Sequence, residues 1–261
     1  MAAGEGVSAI ITLMTDFGTA DGYVAEMKGV LLGLAPGAAV VDLAHDIPPG
    51  DIAAGAYVLG RAWAAFPEGT VHLAVVDPGV GTPRRALAAE TGGCRLVAPD
   101  NGLLSRVLDS GPASIVSLAA PPDSARTFHG RDLFAPVADR LALGAALSEL
   151  GEPVTDAVRI AGPALSREGR DMVGAVVHVD RFGTLITNIP ARKVAPSGIV
   201  RLGPYDLVLR STFGDVPSGD PVAFIGSGGT VEIAVRDGRA DTLLGATRGA
   251  VVRATARAGG S

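Results

Sequence analysis

Asp77 and Arg84 are the residues whose types and spacing most clearly suggest chemistry. Asp77 follows an apolar, β-branched run, and Arg84 comes seven residues later, beyond a Pro-Gly-Val-Gly turn. Such a run bounded by turn residues predicts a buried strand, and open α/β sheets bind ligands at the carboxyl ends of their strands. Because the turn reverses the chain, Arg84 or Arg85 can return to Asp77. The alternative is a turn-capping aspartate beside two solvated arginines.

Carboxylates recur at the ends of other predicted strands in the N-terminal half. They are Asp16, Asp21, Asp46, Asp77 and Asp100. Aspartate is an ordinary turn residue, so any single one has a simple structural explanation. Their repetition predicts a crevice edged with carboxylates, which suits sugar hydroxyls or a positively charged ligand.

The four histidines differ in their predicted surroundings. His129 lies in a loop before a predicted helix and is the best candidate for a general base. His72 and His178 lie within strand runs and are expected to be structural, whereas His45, at a strand end, fits either role. No histidine shows a metal-binding spacing, and Cys94 is the single cysteine, so we expect no metal site and no disulfide within the chain.

Composition excludes several classes of protein. The net charge of −5 argues against nucleic acid or an anionic membrane as a partner. The N-terminus has no basic region typical of a signal peptide, and no apolar run reaches the ~18–20 residues that span a bilayer. The chain also has no G-x-G-x-x-G after its first strand, no P-loop and no G-x-S-x-G. We therefore expect a cytoplasmic protein without a nucleotide cofactor of those types.

The order of predicted elements indicates the fold. Strands alternate with helices in the first half, for example a helix over residues 23–34 and a β-hairpin over residues 86–98. This predicts an α/β domain with a mostly parallel central sheet flanked by helices. Short strands separated by turns follow, which predicts a small antiparallel β-barrel. The expected divisions are an N-terminal domain at 1–160, a linker at 161–171 and a C-terminal domain at 172–261.

Seven segments together resemble the S-adenosylmethionine hydroxide adenosyltransferase family, relatives of the fluorinases and chlorinases. They are TDFGTADGYVAEMKGVL, HDIPPGDIAAGAYVL, VVDPGVGTPRR, PDNGLL, FHGRDLFAPVA, DRFGTLITNI and SGGTVEIAVRDGRA. The resemblance runs through almost the whole chain, in order. It implies an N-terminal α/β domain, a C-terminal β-barrel and a homotrimer with its sites at subunit interfaces. It also implies S-adenosylmethionine as substrate, with no cofactor.

The resemblance implies roles for individual residues. Asp77, Arg84 and His129 would lie beside the reacting carbon, which leaves Arg85 as a surface charge. The substrate-binding residues would be Asp16 for the ribose hydroxyls, Asp21 and Asp180 for the methionine amino group, Ser227 for the methionine carboxylate, and Phe182 for the adenine.

Two positions depart from the pattern of the family. Many relatives bind adenine with an Asn where this chain has Thr184, so that side-chain contact is not predicted here. The halogenases carry an Arg where this chain has Gly228, so we expect backbone N–H groups to contact the methionine carboxylate.

The predicted activity is hydrolysis of S-adenosylmethionine to adenosine and L-methionine, by in-line attack of an activated water on the 5′ carbon. Arginine stays protonated and cannot be the base, and a carboxylate beside an arginine is a weak one. Our hypothesis is therefore that His129 accepts the proton while Asp77 and Arg84 orient the water.

Two alternatives remain open. One is a halogenase that forms 5′-halo-5′-deoxyadenosine. Fluorinases carry Tyr, Thr and Ser where this chain has Asp77, Val80 and Gly130, and a carboxylate at position 77 would repel a halide. The other is a non-catalytic S-adenosylmethionine-binding protein. The presence of the full Asp77, Arg84 and His129 set argues against it, because binding alone needs no proton acceptor.

Overall fold

The computed structural model describes residues 9–257. The chain divides into two compact units after Ile160. Residues 1–8, on which the prediction about a signal peptide partly rests, lie outside the described residues. Within the described range, every helix is too short or too polar to cross a lipid bilayer.

The first unit is an α/β domain built on a seven-stranded sheet. Its strands are β1 (Ile10–Thr15), β2 (Ala39–Ala44), β3 (Val71–Val75), β4 (Ala86–Thr91), β5 (Cys94–Pro99), β6 (Ser114–Leu118) and β7 (Gly151–Pro153). Its helices are α1 (Tyr23–Leu34), α2 (Ile52–Ala62), α3 (Ser105–Leu108) and α4 (Ala135–Ala142). The spatial order is β2–β1–β3–β5–β4–β6–β7. The first three pairings are parallel and the last three antiparallel, so the predicted parallel-rich α/β sheet is confirmed.

Alternation along the strands explains why helices cover both faces of this sheet. Successive side chains point to opposite faces, so Leu13 and Met14 of β1 belong to different apolar clusters. The Leu13 cluster includes side chains of α1 and α4, and the Met14 cluster includes those of α2 and α3. The carboxyl ends of the parallel strands are thereby left open for polar residues.

Local signals predicted several elements correctly. Helix α1 has the predicted bounds, and it buries Val24, Met27 and Leu31, which recur at spacings of three and four. Asp51 is a residue type that favours helix N-caps, and it caps α2, with its side chain accepting from the N–H of Ala54 at 3.0 Å. Strands β4 and β5 form the predicted antiparallel hairpin.

The second unit is a closed β-barrel. Its strands are β8 (Ser166–Glu168), β9 (Asp171–Val179), β10 (Leu185–Pro190), β11 (Ile199–Leu202), β12 (Tyr205–Arg210), β13 (Pro221–Ile225), β14 (Thr230–Val235) and β15 (Val251–Thr255), with a short helix α5 (Ala240–Leu243). The order β10–β14–β13–β12–β11–β15–β9 closes through a β9–β10 pairing, and β8 adds to β9 outside the ring. All pairings are antiparallel except β12–β13, so the predicted barrel is confirmed.

Candidate active site

Asp77, Arg84 and His129 are in direct contact in the first unit. Nε of Arg84 donates to both carboxylate oxygens of Asp77, at 3.0 and 3.1 Å, and Nη2 also donates to Oδ2. The same Nη2 lies 3.0 Å from Nδ1 of His129. Only 4% of the Asp77 side chain and 11% of the Arg84 side chain are exposed. Two residues of one turn therefore meet a histidine that lies far along the chain.

The turn after β3 brings Arg84 back to Asp77. The N–H of Val80 donates to the carbonyl of Asp77 at 3.2 Å, which starts the reversal. Gly81 has a φ of +77°, a conformation that L side chains rarely adopt. A Cβ at that position would lie 2.7 Å from the carbonyl oxygen of Arg126. Glycine is therefore needed for the turn to pack against the loop that carries His129.

The loop that carries His129 is held by its own charged residues. Asp132 accepts from the N–H of Ala125 at 2.8 Å and pairs with Arg131. Arg131 in turn reaches Glu26 on α1 at 2.7 Å. A π-helical turn at Gly130–Phe134 follows His129 and continues into α4. The sequence showed Arg131 and Asp132 within a family motif, but their role in holding this loop was not predicted.

The electrostatics of the set favour a neutral histidine. Burial lowers the pKa of His129 below its ordinary value of 6.5, and the positive charge of Arg84 lowers it further, while Asp77 and Asp132 oppose the shift. A guanidinium can only donate, so Nδ1 must accept from Arg84. We therefore assign the neutral tautomer with the proton on Nε2, which leaves an N–H to face a ligand.

Three aromatic rings near the candidate polar residues in sequence pack together, and sequence reasoning missed them. Phe17, Tyr23 and Phe128 contact one another edge to face, with centroids 5.4 to 6.0 Å apart. Phe17 follows Asp16 directly, and Phe128 precedes His129. The signal that could have found them was their place in the sequence, since Phe17 and Phe128 adjoin Asp16 and His129, and Tyr23 lies two residues after Asp21.

The two predicted acidic substrate contacts of this unit lie on the loop between β1 and α1. Oδ2 of Asp16 accepts from the N–H of Gly50 at 2.7 Å, so this carboxylate also joins two strand-end loops. Asp21 is exposed on the same loop. Neither carboxylate has an ion pair among those found within residues 9–257.

Arg85 has partners that the sequence did not predict. Its side chain is 33% exposed, in line with the expected surface charge, and its guanidinium lies 2.7 Å from Asp100 and 2.7 Å from Asp156. Asp100 is buried, and its other oxygen accepts from the N–H of Val158 at 2.7 Å. Because both of its oxygens have protein partners, Asp100 has a structural role at the C-terminal end of this unit.

Two further histidines are buried beside threonines of β1. His72 lies with Nδ1 2.7 Å from Oγ1 of Thr12, and burial lowers its pKa to about 4. This agrees with the expected structural role. Nδ1 of His45 lies 2.9 Å from Oγ1 of Thr15, the residue directly before Asp16. Within residues 9–257, no group of three or more His, Cys, Asp or Glu side chains could hold a metal ion.

The second unit carries an open cavity of about 1030 Å³ on its barrel. Asp180, Phe182 and Ser227, the three predicted substrate contacts of this half, all line it. Oδ1 of Asp180 accepts from the N–H groups of Phe182 and Thr184, at 2.9 and 2.8 Å. Asp180 thus shapes the turn through Oδ1 while it lines the cavity.

This turn displays Phe182, whose side chain is 76% exposed at the cavity. Gly183 has a φ of +83°, and a Cβ there would lie 2.6 Å from Oδ1 of Asp241. Arg239 donates to the carbonyl of Arg181 at 2.8 Å and pairs with Asp241. The sequence motifs contain Arg239, but its part in holding the turn was not predicted.

The fold and the two sets of residues define a two-domain enzyme of the α/β plus β-barrel kind. The chain belongs to the S-adenosylmethionine hydroxide adenosyltransferase family. The model of the family's N-terminal domain matches residues 11–151, and the model of its C-terminal domain matches residues 174–253.

Relatives of known name agree with this assignment. A protein of Thermus thermophilus named (R)-S-adenosyl-L-methionine hydrolase is 44% identical over 93% of this chain and 98% of its own. One of the same name from Salinispora tropica is 43% identical over 94% and 97%. A fluorinase of an Actinoplanes species is 33% identical over 86% and 90%.

Solved structures share the fold. A conserved protein of Thermotoga maritima superposes with a TM-score of 0.87 at 32% identity, over 94% of this chain and 99% of that chain. A second, from Thermus thermophilus, has a TM-score of 0.81 at 43% identity over the same fractions.

Proposed function

We propose that this chain hydrolyses S-adenosyl-L-methionine to adenosine and L-methionine. The observation that carries the proposal is the direct contact of Asp77, Arg84 and His129, in a chain closely related to proteins named (R)-S-adenosyl-L-methionine hydrolase. The chain has the turn and the loop that this contact requires. The reaction needs no cofactor, because the sulfonium of the substrate is itself a good leaving group.

The chemistry is an in-line displacement at the 5′ carbon. The oxygen of water forms the new bond to carbon while the carbon–sulfur bond breaks. The electron pair of that bond goes to the sulfur of methionine, and one proton passes from the water to a base, which is His129 in our hypothesis. Water held about 3–3.5 Å from the carbon, opposite the sulfur, has the entropic advantage of a near-attack geometry.

Asp77 and Arg84 suit the task of orienting this water. Each oxygen of Asp77 keeps lone-pair capacity beside its bonds to Arg84 and can accept from the water. Nε2–H of His129 can donate to the water oxygen. The hypothesis that His129 accepts the proton stays a prediction with one condition. Its acceptor nitrogen, Nδ1, must first lose the bond from Arg84.

The remaining predicted contacts complete the proposal. Asp16 binds the ribose hydroxyls, Asp21 and Asp180 bind the methionine amino group, Ser227 binds the methionine carboxylate and Phe182 packs on the adenine. The exposed ring of Phe182 and its open cavity support an adenine contact at this position. Thr184 is almost fully buried, which supports recognition of adenine by groups other than that side chain.

Halide transfer is the second candidate, because fluorinases are also relatives. The charges beside Asp77 disfavour it. A carboxylate, a guanidinium and a neutral imidazole sum to zero, so a halide would meet no net positive charge. Water needs only hydrogen-bond partners at that position, and the three side chains supply them.

Assembly and location are further parts of the proposal. The chain forms a homotrimer with its sites at subunit interfaces, and it acts in the cytoplasm without nucleic-acid or membrane partners. The acidic net charge supports the absence of nucleic-acid and membrane partners, and the single, buried cysteine, Cys94, supports the cytoplasm. Analytical ultracentrifugation should give three times the mass of the 26.2 kDa chain, and a monomer would contradict the assembly.

The test is incubation of the purified chain with each sulfonium epimer of S-adenosylmethionine, followed by chromatography. We expect adenosine and methionine from the (R) epimer that the relatives' names specify, at a rate unaffected by fluoride or chloride. A 5′-halo-5′-deoxyadenosine would establish the halogenase instead. Tight binding of S-adenosylmethionine without any product over hours would establish a binding protein.

A further inference from the structure

We infer that His45 and Thr15 are positioning residues that hold Asp16 in the geometry that binds ribose. The inference rests on the proposed function in one respect, the role of Asp16 toward the ribose hydroxyls. Neither His45 nor Thr15 reaches a ligand, because Thr15 is fully buried and His45 is 7% exposed. Their effect must therefore pass through the backbone that carries Asp16.

The loops after β1 and β2 are joined around Asp16 by three hydrogen bonds. Oγ1 of Thr15 lies 2.9 Å from Nδ1 of His45. The N–H of Gly18 donates to the carbonyl of His45 at 2.8 Å. The N–H of Gly50 donates to Oδ2 of Asp16 at 2.7 Å. Asp16 thus lies between two contacts made by His45 and is bonded to the same loop itself.

The Thr15 hydroxyl is the centre of this arrangement. Oγ1 accepts from the N–H of Phe17 at 3.2 Å, across the peptide that follows Asp16. If the hydroxyl proton points to Nδ1 of His45, its lone pairs remain available to that N–H. The residues on either side of Asp16 are then fixed by one side chain.

A surface carboxylate favours the tautomer of His45 that this arrangement requires. Nε2 of His45 lies 3.0 Å from Oδ1 of Asp42. Nε2 makes no hydrogen bond at this contact, so we treat it as electrostatic, and the negative charge favours a proton on Nε2. Asp42 is held in turn by Lys28 at 2.7 Å. Nδ1 is then the acceptor for Thr15.

The chain offers a matched control on the same strand. Thr12 and His72 form the same kind of pair, at 2.7 Å between Oγ1 and Nδ1. Thr12 and His72 are fully buried, as Thr15 is. Thr12 lies in the middle of β1, whereas Thr15 is its last residue. If both threonine–histidine pairs are purely structural, removing either hydroxyl should have the same effect on ribose preference. If Thr15 and His45 position Asp16, only the removal of the Thr15 hydroxyl should change it.

The test compares Thr15→Val with Thr12→Val, which remove a hydroxyl at nearly constant shape. Adenosine and 2′,3′-dideoxyadenosine are the probes, measured by calorimetry, because neither requires turnover. We expect wild type and Thr12→Val to prefer adenosine alike. In Thr15→Val the preference should shrink about tenfold, an effect on the scale of one or two hydrogen bonds. Thr15→Ser should restore it.

Three outcomes would overturn the inference. They are an unchanged ribose preference in Thr15→Val, an equal loss in Thr12→Val, and a wild type that does not distinguish the two nucleosides. The last would leave the proposed hydrolysis standing if adenosine still forms from S-adenosylmethionine. Conversely, a wild type that binds adenosine selectively but forms none contradicts the proposed function alone.

A second pair of variants guards against a Thr15→Val that fails to fold. In His45→Asn the amide oxygen can occupy the position of Nδ1 and accept from Thr15, whereas in His45→Gln the amide reaches the position of Nε2. We expect His45→Asn to keep more of the ribose preference and a lower KM for S-adenosylmethionine. Equal values for both variants would contradict a positioning role for Nδ1.

Discussion

Arg84 and Arg85 are adjacent in sequence, and each pairs with an aspartate that follows a strand. Arg84 binds Asp77 after β3, and Arg85 binds Asp100 after β5. The two carboxylates are almost equally buried, with 4% and 2% of their side chains exposed. By the burial and charge of the two carboxylates alone, the two pairs would be given the same role.

The two pairs differ in the third partner. The second oxygen of Asp100 accepts from the N–H of Val158, so both oxygens of this carboxylate have partners within the fold. Arg84, by contrast, donates both to Asp77 and to Nδ1 of His129. The Nε2–H of this titratable ring remains available to a ligand. A buried Asp–Arg pair therefore does not by itself indicate catalysis, and the group that completes it decides the role.

The largest effect is expected from Asp77→Asn. An amide still accepts a hydrogen bond, but it carries no charge for Arg84 and presents N–H groups where the water needs an acceptor. We expect adenosine formation to slow by about 10²–10⁴-fold, measured in single turnover. Near wild-type turnover would show that Asp77, like Asp100, is structural.

A smaller effect separates the two arginines. Arg84→Lys loses the planar fork that reaches Asp77 and His129 together. We expect kcat/KM to fall about 100-fold, equivalent to about 2.7 kcal/mol. Arg85→Lys is the matched control and should keep kcat/KM within about twofold. Equal losses in both variants would show that Arg84 and Arg85 do not differ in role.

The pH dependence should report His129. Because its pKa is lowered, the imidazole is neutral above 6.5, and activity should fall about tenfold per pH unit only below its depressed pKa. The unfolded chain binds this proton more readily, so the associated stability is complete above 6.5 and is lost as the pH falls through the folded pKa. NMR titration of His129 should give the midpoint of the activity profile, with His72 as a resonance that titrates elsewhere.

The smallest effect on activity is expected from Asp100→Asn. This change leaves Asp156 as the only charged partner of Arg85 and weakens the acceptor for the N–H of Val158. The free energy of unfolding should therefore fall, while the rate of the reaction should not. We expect a melting temperature lower by roughly 2–6 °C in calorimetry, with kcat within about twofold. A large loss of kcat would place Asp100 in the catalytic crevice after all.

Local patterns were enough for much of the fold. The period of Val24, Met27 and Leu31 predicted α1, and buried runs bounded by turns predicted the principal strands, because both signals lie within one element. Strands β7 and β8 were not predicted, since three residues are too few for a period. The helix predicted after His129 begins with a π-helical turn at Gly130–Phe134, for which the apolar pattern carries no signal.

The sequence by itself determined the family, the two kinds of domain and the candidate residues, since these depend on motifs and on contacts within a few residues. Asp77 and Arg84 could be paired because one turn joins them. The family motifs already assigned Arg84 rather than Arg85 to the set with His129. Only the tertiary structure decided the contact that joins Arg84 to His129, and the pairing of Arg85 with Asp100 and Asp156. Those contacts join residues 15 to 71 positions apart, and their geometry follows from how strands and loops pack rather than from any local pattern.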